Sequence, residues 1–330
     1  MVKLKDLAEE TGFSINTVSR ALRGDTRISE ATREAISQKA RDMGYIPNLL
    51  AGSMRSNRTR TIGVVSADSS NPFFAEVIMG IEEAARRLNY SILLINTEEQ
   101  DANEQDAVRL LLGRMVDGLL ITPVRGGKEQ LTMYRELDIP FLFVGRHLED
   151  LEDHSILHSD REGQREVFDH FLEKGHRNIL YIAGPDSISN TQDRIEGFRD
   201  AYRARNIPVN NSLILKSSGH IEDGYALVNQ ALHRGLDITA VVCFNDLLAM
   251  GALKSLYENG RKVPEDIEVF GYDNLYMSQF MQPRLSTVDV PKSTLGRTAM
   301  EELVRHIEDP AREFKTINLD TRLIFRETTL

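Results

Sequence analysis

From Thr61 onward the chain alternates short apolar runs with amphipathic segments, and few folds accommodate that rhythm. The runs are Ile62–Val65, Ile92–Ile95, Gly118–Ile121, Phe141–Val144, Ile179–Ile182, Leu213–Leu215, Ala240–Phe244 and Ile267–Phe270. Helical periodicity lies between them, near 75–89, 103–115, 128–137, 162–174, 193–205, 222–234 and 246–260. Strands separated by helices pair in parallel, and a parallel sheet must be covered on both faces. Right-handed crossovers then give doubly wound sheets, so the expected class is α/β. Ligands in such folds sit beyond the carboxyl ends of the strands. Several of those ends are polar here: Asp68 to Asn71, Arg146, Asn190 to Arg194, Asn245-Asp246 and Asp273-Asn274.

The first two dozen residues follow another pattern. Leu4, Leu7 and Ala8 fall at helical spacing, which predicts a short helix over Lys3 to Glu10 that Gly12 ends. Ser14 is placed to cap a second helix, Ile15 to Leu22, whose Val18, Ala21 and Leu22 share one face. Two short helices joined by a tight glycine turn read as a helix-turn-helix, with the polar side of the second free to enter a major groove. Ser29 caps a third helix over Glu30 to Met43, and Pro47 holds Ile46 extended. Charge supports the reading. Residues 1–60 hold 11 Lys/Arg against 7 Asp/Glu and the remainder 29 against 43, a head of +4 on a body of −14 within the overall −10. A basic head on an acidic body puts the polyanion-binding surface at the N-terminal end.

The 330 residues suffice for such a head and two ordinary domains. No apolar stretch approaches the roughly 20 residues that span a bilayer, and no leader precedes the head, so a cytoplasmic protein without a membrane partner is expected. Cys243, the single cysteine, lies in an apolar run and reads as a buried structural thiol. No Gly-x-Ser-x-Gly elbow, P-loop or Gly-x-Gly-x-x-Gly after a strand occurs, and no catalytic residue, cofactor or metal is expected. His147, His154 and His158 fall at mixed spacing in an acidic stretch and read as surface.

Across the whole chain these residues resemble the LacI/GalR family of bacterial repressors. In the head the resemblance rests on Lys5-Asp6-Leu7-Ala8, Gly12, Ser14, Thr17-Val18-Ser19-Arg20, Tyr45-Ile46-Pro47-Asn48 and Ala51. In the body it rests on Asn71-Pro72-Phe73-Phe74, Gly175-His176-Arg177, Ala183-Gly184-Pro185, Phe244-Asn245-Asp246 and Gly271-Tyr272-Asp273-Asn274. The resemblance implies a helix-turn-helix headpiece over 1–47, a hinge helix and linker over 48–60, and a body over 61–330 like the periplasmic sugar-binding proteins. That body would have two subdomains, about 61–160 plus 291–320 and about 161–290 plus 321–330, and the protein would be a homodimer, with a tetramer left open.

By the same resemblance a palindromic duplex operator is the partner. Ile15 and Asn16 would reach base edges and Arg20 a guanine, a role that the forked donors and acceptors of Asn and Arg suit. Ser14, Thr17 and Ser19 would touch phosphates or cap helices. Asn48 would cap a hinge helix at Leu49 to Arg55, too short to be stable alone. With Ala51 it would enter the minor groove, where Met54 stands in place of the family's usual leucine wedge. A small-molecule effector would occupy the cleft between subdomains, with a sugar expected and a nucleobase, nucleoside or phosphorylated partner protein as the alternative. Phe73 or Phe74 would offer a ring face, Arg194 paired donors, and Asn245 and Asp273 hydroxyl-binding groups, with Arg146, Asp160 and Asn190 candidates by position. A core role for one phenylalanine and loop-capping roles for Asn245 and Asp273 remain open on the residues alone. Gly219 falls where relatives carry an aromatic lid, which would leave one wall of the pocket open beside His220.

Replacing Asn16 by alanine is expected to relax base preference at one position of each half-site, at a cost of about 1–3 kcal/mol. Binding titrations over single-base-pair variants measure it, and a uniform loss across all sequences would mean a phosphate contact instead.

Overall fold

The computed structural model describes residues 2–46, 58–124 and 128–330, so Asn48, Ala51 and Met54, expected in a hinge helix, lie outside the described residues. The chain divides into two compact units, residues 1–59 and 60–330.

The first unit holds three helices, α1 (Leu4–Thr11), α2 (Ile15–Leu22) and α3 (Glu30–Asp42). Their apolar faces meet in a small core of Leu7, Ala8, Val18, Ala21, Ile36 and Ala40, flanked by Leu4, Leu22, Ile28, Met43 and Tyr45. Gly12 ends α1 with φ of 71°, a left-handed conformation that lets the chain turn at once into α2.

The second unit contains two parallel sheets. Strands β1 (Thr61–Ser66), β2 (Ser91–Asn96), β3 (Gly118–Ile121), β4 (Phe141–Val144), β5 (Ser155–His158) and β11 (Ile317–Leu319) form a six-stranded sheet in the order β11-β5-β4-β3-β1-β2. Strands β6 (Ile179–Ala183), β7 (Ile214–Lys216), β8 (Ala240–Cys243) and β9 (Glu268–Phe270) form a four-stranded one in the order β7-β6-β8-β9. An antiparallel pair, β10 (Thr287–Asp289) with β12 (Arg322–Ile324), completes the unit. Helices α4 (Pro72–Arg87), α5 (Asp101–Gly113), α6 (Lys128–Arg135) and α11 (Lys292–Glu308) belong with the first sheet. Helices α7 (Asp160–Glu173), α8 (Ser189–Ala204), α9 (Ile221–His233) and α10 (Asp246–Glu258) belong with the second. The chain passes between the two lobes after β5, after β10 and after β11. Strand order reverses between β1 and β3 in one sheet and between β6 and β8 in the other, and those switch points are where such folds open a crevice. No helix among the described residues is long and apolar enough to cross a membrane.

The body helices begin one to four residues earlier than their apolar periodicity indicates, or at the same residue; side-chain caps mark the starts of α4 and α10. Asn71 accepts the N–H of Phe73 at 3.0 Å, with Pro72 in the first turn, and Asn245 accepts that of Leu248 at 2.8 Å. Strands β5, β10, β11 and β12 were not expected. They are three or four residues long and carry polar residues such as Ser155, Asp289 and Asn318, so no apolar run marks them. Helix α11 was also missed, although Leu295, Ala299, Met300, Leu303, Val304 and Ile307 are buried at helical spacing.

Three helix pairs meet backbone to backbone through glycine. A Cβ on Gly296 would lie 2.0 Å from the carbonyl oxygen of Val77, and one on Gly80 2.1 Å from that of Ser293, which locks α4 to α11. Gly197 approaches Arg161 in the same way between α8 and α7, and Gly224 and Gly251 do so between α9 and α10. Gly296→Ala is therefore expected to cost about 1–3 kcal/mol by overpacking. Thermal unfolding should show a Tm lower by about 3 °C or more; an unchanged Tm would mean that the two helices can part freely.

Candidate functional site

In the first unit the start of α2 is built to face outward. Val18 and Ala21 anchor one side in the core. On the other side Ile15 remains 48% exposed, unusual for so apolar a residue, with Asn16 exposed beside it. Ser14 caps the helix by accepting the N–H of Thr17 at 3.1 Å, and its Oγ lies 2.9 Å from Thr17 Oγ1, so both hydroxyls are committed to the cap. Ser19 and Arg20 are half-buried further along, and Arg20 donates from Nε to Asp25 at 2.9 Å.

In the second unit a cavity opens at the carboxyl ends of the strands of both sheets. Asp68 and Asn71 reach it after β1, Thr122 after β3, Gly145 and Arg146 after β4, and His158 at the end of β5. Pro185, Ile188, Asn190 and Arg194 follow β6, while Phe244 and Asn245 follow β8 and Asp273 follows β9. Phe73 and Phe74, at the start of α4, meet edge to face with ring centroids 5.3 Å apart and complete one wall.

Two buried charges organise the cavity. Arg194 donates from Nε to Asp160 at 2.6 Å and from Nη1 to the carbonyl oxygen of Phe244. Its guanidinium lies 3.5 Å from the ring centre of Tyr272 and 4.4 Å from that of Phe244, so it is sandwiched as well as paired. Burial works against ionisation of Asp160, but Arg194, His158 and Asn190 outweigh it and hold the carboxyl well below the usual carboxylate range. Asn190 donates from Nδ2 to Asp160 at 2.6 Å and to the carbonyl oxygen of Gly145 at 2.7 Å, which ties the pair to the other lobe. At the cavity rim Arg146 grips Glu99 with both Nη groups, at 2.7 and 2.9 Å, and donates to Pro123 O at 3.1 Å. Asp273 differs from these. Its carboxyl is buried, accepts no hydrogen bond among the described residues, and lies 3.8 Å from Arg194 Nη2. Burial pushes its pKa up to about 8, with Arg194 opposing the shift and Asp246 adding to it.

Phe73, Phe74, Arg146, Asn190, Arg194, Asn245 and Asp273 thus line one cavity. Asp160 stands behind it as the partner of Arg194 and does not line it. Both phenylalanines serve the core and the cavity together. Asn245 spends its amide locally, capping α10 and donating to Gly219 O at 2.9 Å. Gly219 sits on the wall with φ of 93°, a conformation that disfavours any side chain there. Sequence reasoning missed Glu99 and Thr122 and read His158 as surface, whereas it is buried at 4% exposure in the lining. Glu99 and Thr122 also follow strands, so the strand-end rule carried a signal for them, whereas His158 stood on a strand that no apolar run announced. Among the described residues no group of three or more His, Cys, Asp and Glu is placed to hold a metal ion.

Comparison with known proteins agrees with this arrangement. A family model described as "Bacterial regulatory proteins, lacI family" matches residues 3–48, and one described as "Periplasmic binding proteins and sugar binding domain of LacI family" matches residues 59–325. The HTH-type transcriptional repressor PurR of Photobacterium profundum is 32% identical over 329 residues, covering 99% of this chain and 98% of that protein. A Lac repressor dimer bound to operator and the anti-inducer ONPF superposes with a TM-score of 0.90 at 28% identity, over 100% of this chain and 99% of that one. The transcriptional regulator CelR in complex with cellobiose does so with a TM-score of 0.77 at 28% identity, over 99% of this chain and all of that one.

Removing one member of a buried ion pair strands the other, so Asp160→Ala is expected to destabilise the second unit by about 3–5 kcal/mol. Chemical denaturation of the full chain checks this, and an unchanged midpoint would show that Arg194 finds water or another acceptor.

Proposed function

The chain belongs to the LacI family of bacterial regulatory proteins, and from that premise we propose that it is a transcriptional repressor whose hold on a palindromic operator, as a homodimer, is set by a sugar in the body cavity. It is a regulator and not an enzyme: the matched relatives are repressors and regulators.

Asp273 carries the effector reading. A buried carboxyl without hydrogen-bond donors is costly unless a ligand supplies them. Asp68, whose Oδ1 is engaged by Ser70, adds its Oδ2 to the same lining. Carboxyl acceptors beside guanidinium donors suit a ligand whose hydroxyls both donate and accept, and the Phe73 and Phe74 rings suit the apolar face of a pyranose. A nucleobase is the second reading, favoured by the likeness to the PurR repressors. The homodimer takes support from Leu93 and Leu94 on the edge strand β2 and Leu110 and Leu112 on α5, all more than a third exposed. An effector acts through its different affinities for two conformations of the body, and the direction of the response follows from which of them grips DNA.

A thermal-shift panel of mono- and disaccharides, nucleobases and sugar phosphates on the full chain tests the effector class, since a ligand at 100 times its Kd adds about 2.7 kcal/mol. A sugar is expected to raise Tm, and a shift with nucleobases alone would overturn the sugar reading. The pH dependence follows from Asp273. Hydroxyl donors favour the ionised carboxylate, so binding expels a proton below pH about 8. Affinity should then rise up to about tenfold per pH unit toward that value and level off above it. Asp273→Asn should flatten the profile; affinity that falls with rising pH in the unaltered protein would mean that Asp273 binds as a donor.

A further inference from the structure

The turn that follows α2 holds a carboxylate serving two arginines. Asp25 Oδ2 accepts from Arg20 Nε at 2.9 Å and from Arg27 Nη2 at 2.8 Å. Oδ1 accepts the backbone N–H and the Nε–H of Arg27, each at 3.0 Å. The backbone N–H of Asp25 returns to Arg20 O at 3.1 Å, and Arg33 Nη1 donates to Ile28 O at 3.2 Å, so the turn is closed from both sides. Hydrogen bonds from Arg27 first, and then from Arg20, hold the Asp25 carboxyl well below the usual carboxylate range, and it stays charged wherever the protein meets DNA.

A negative charge beside a DNA-reading helix opposes attraction to phosphates. Its geometry offers something in return. Arg20 is held at Nε alone, which leaves both Nη groups without a protein partner among the described residues and fixes the plane in which they lie. A fork fixed in its plane matches a base edge bidentately, whereas an unheld arginine surrenders rotamer freedom on contact. Arg27 is 75% exposed at its side chain and can leave for a phosphate while Oδ2 keeps Arg20.

We propose that Asp25 is a positioning residue for sequence discrimination: it aims Arg20 at its base edge and lowers overall attraction to DNA in doing so. The inference rests on the DNA-binding reading above.

Selection from a randomised duplex pool with the full-length protein defines its preferred site. Anisotropy titrations then compare the unaltered protein, Asp25→Ala and Arg27→Ala on that site, on its single-base-pair variants and on random duplex, over a salt series. Asp25→Ala is expected to lose about tenfold discrimination at one base pair of each half-site, the scale of one bidentate contact. Its affinity for random duplex should rise and its salt slope steepen by about one. Arg27→Ala should keep the discrimination and bind random duplex more weakly. Base preferences of Asp25→Ala that match the unaltered protein, or specific and random affinity falling together as in an unfolded head, would overturn the proposal. An unaltered protein that selects no site would instead overturn the DNA-binding reading itself.

Discussion

The ion pair between Asp160 and Arg194 is the contact on which the body's geometry depends. Its two members are 4% and 3% exposed, so each charge has given up its water and must be satisfied by the other and by neighbouring dipoles. Such pairs seldom add net stability over an apolar core, but they tolerate few arrangements. Asp160 opens α7 where the chain first passes from one lobe to the other, Arg194 sits on α8 of the second lobe, and Asn190 ties the pair back to Gly145 of the first. The lobes therefore meet in a register that presents the guanidinium edge of Arg194 and the carboxyl of Asp273 to one cavity.

How much of this could be read from the residues depends on whether the information is local. The strands were legible where Val, Ile and Leu run together, as at Ile62–Val65 or Ala240–Cys243, because burial on both faces demands it. Ser155–His158 was not, since that strand begins and ends on polar residues and is buried only by the neighbouring strands β4 and β11, which are distant in sequence. The strand-end rule found Arg146, Asn190, Arg194 and Asp273 without knowing which of them would be engaged by the protein itself. Placing Asp160 behind Arg194 instead of in the lining required the distance, and so did the commitment of Asn245 to a cap. Pairing between lobes leaves no trace in spacing.

The two units differ in how firmly they can be built. The body closes over apolar clusters that run through both lobes and include more than ten aromatic rings, Phe168, Phe198, Tyr181 and Tyr202 among them. Among the described residues the head rests on six buried side chains, none of them aromatic, and on caps at Ser14 and Ser29. A core of that size stabilises weakly, so the reading surface owes much of its definition to polar contacts such as those around Asp25. Its basic charge, set against an acidic body, directs a polyanion to one end of the chain.

Glycine at the helix crossings governs how the body can move. Where Gly80 faces Ser293, Gly197 faces Arg161 and Gly224 faces Leu248, main chain rests on main chain, and no layer of side chains remains that could slip or re-pack. Shear within a lobe is thereby suppressed, and each lobe travels as a stiff plate. Bending must fall on the stretches 158–160, 289–292 and 319–322, which makes rotation about those three strands the one soft degree of freedom between the plates.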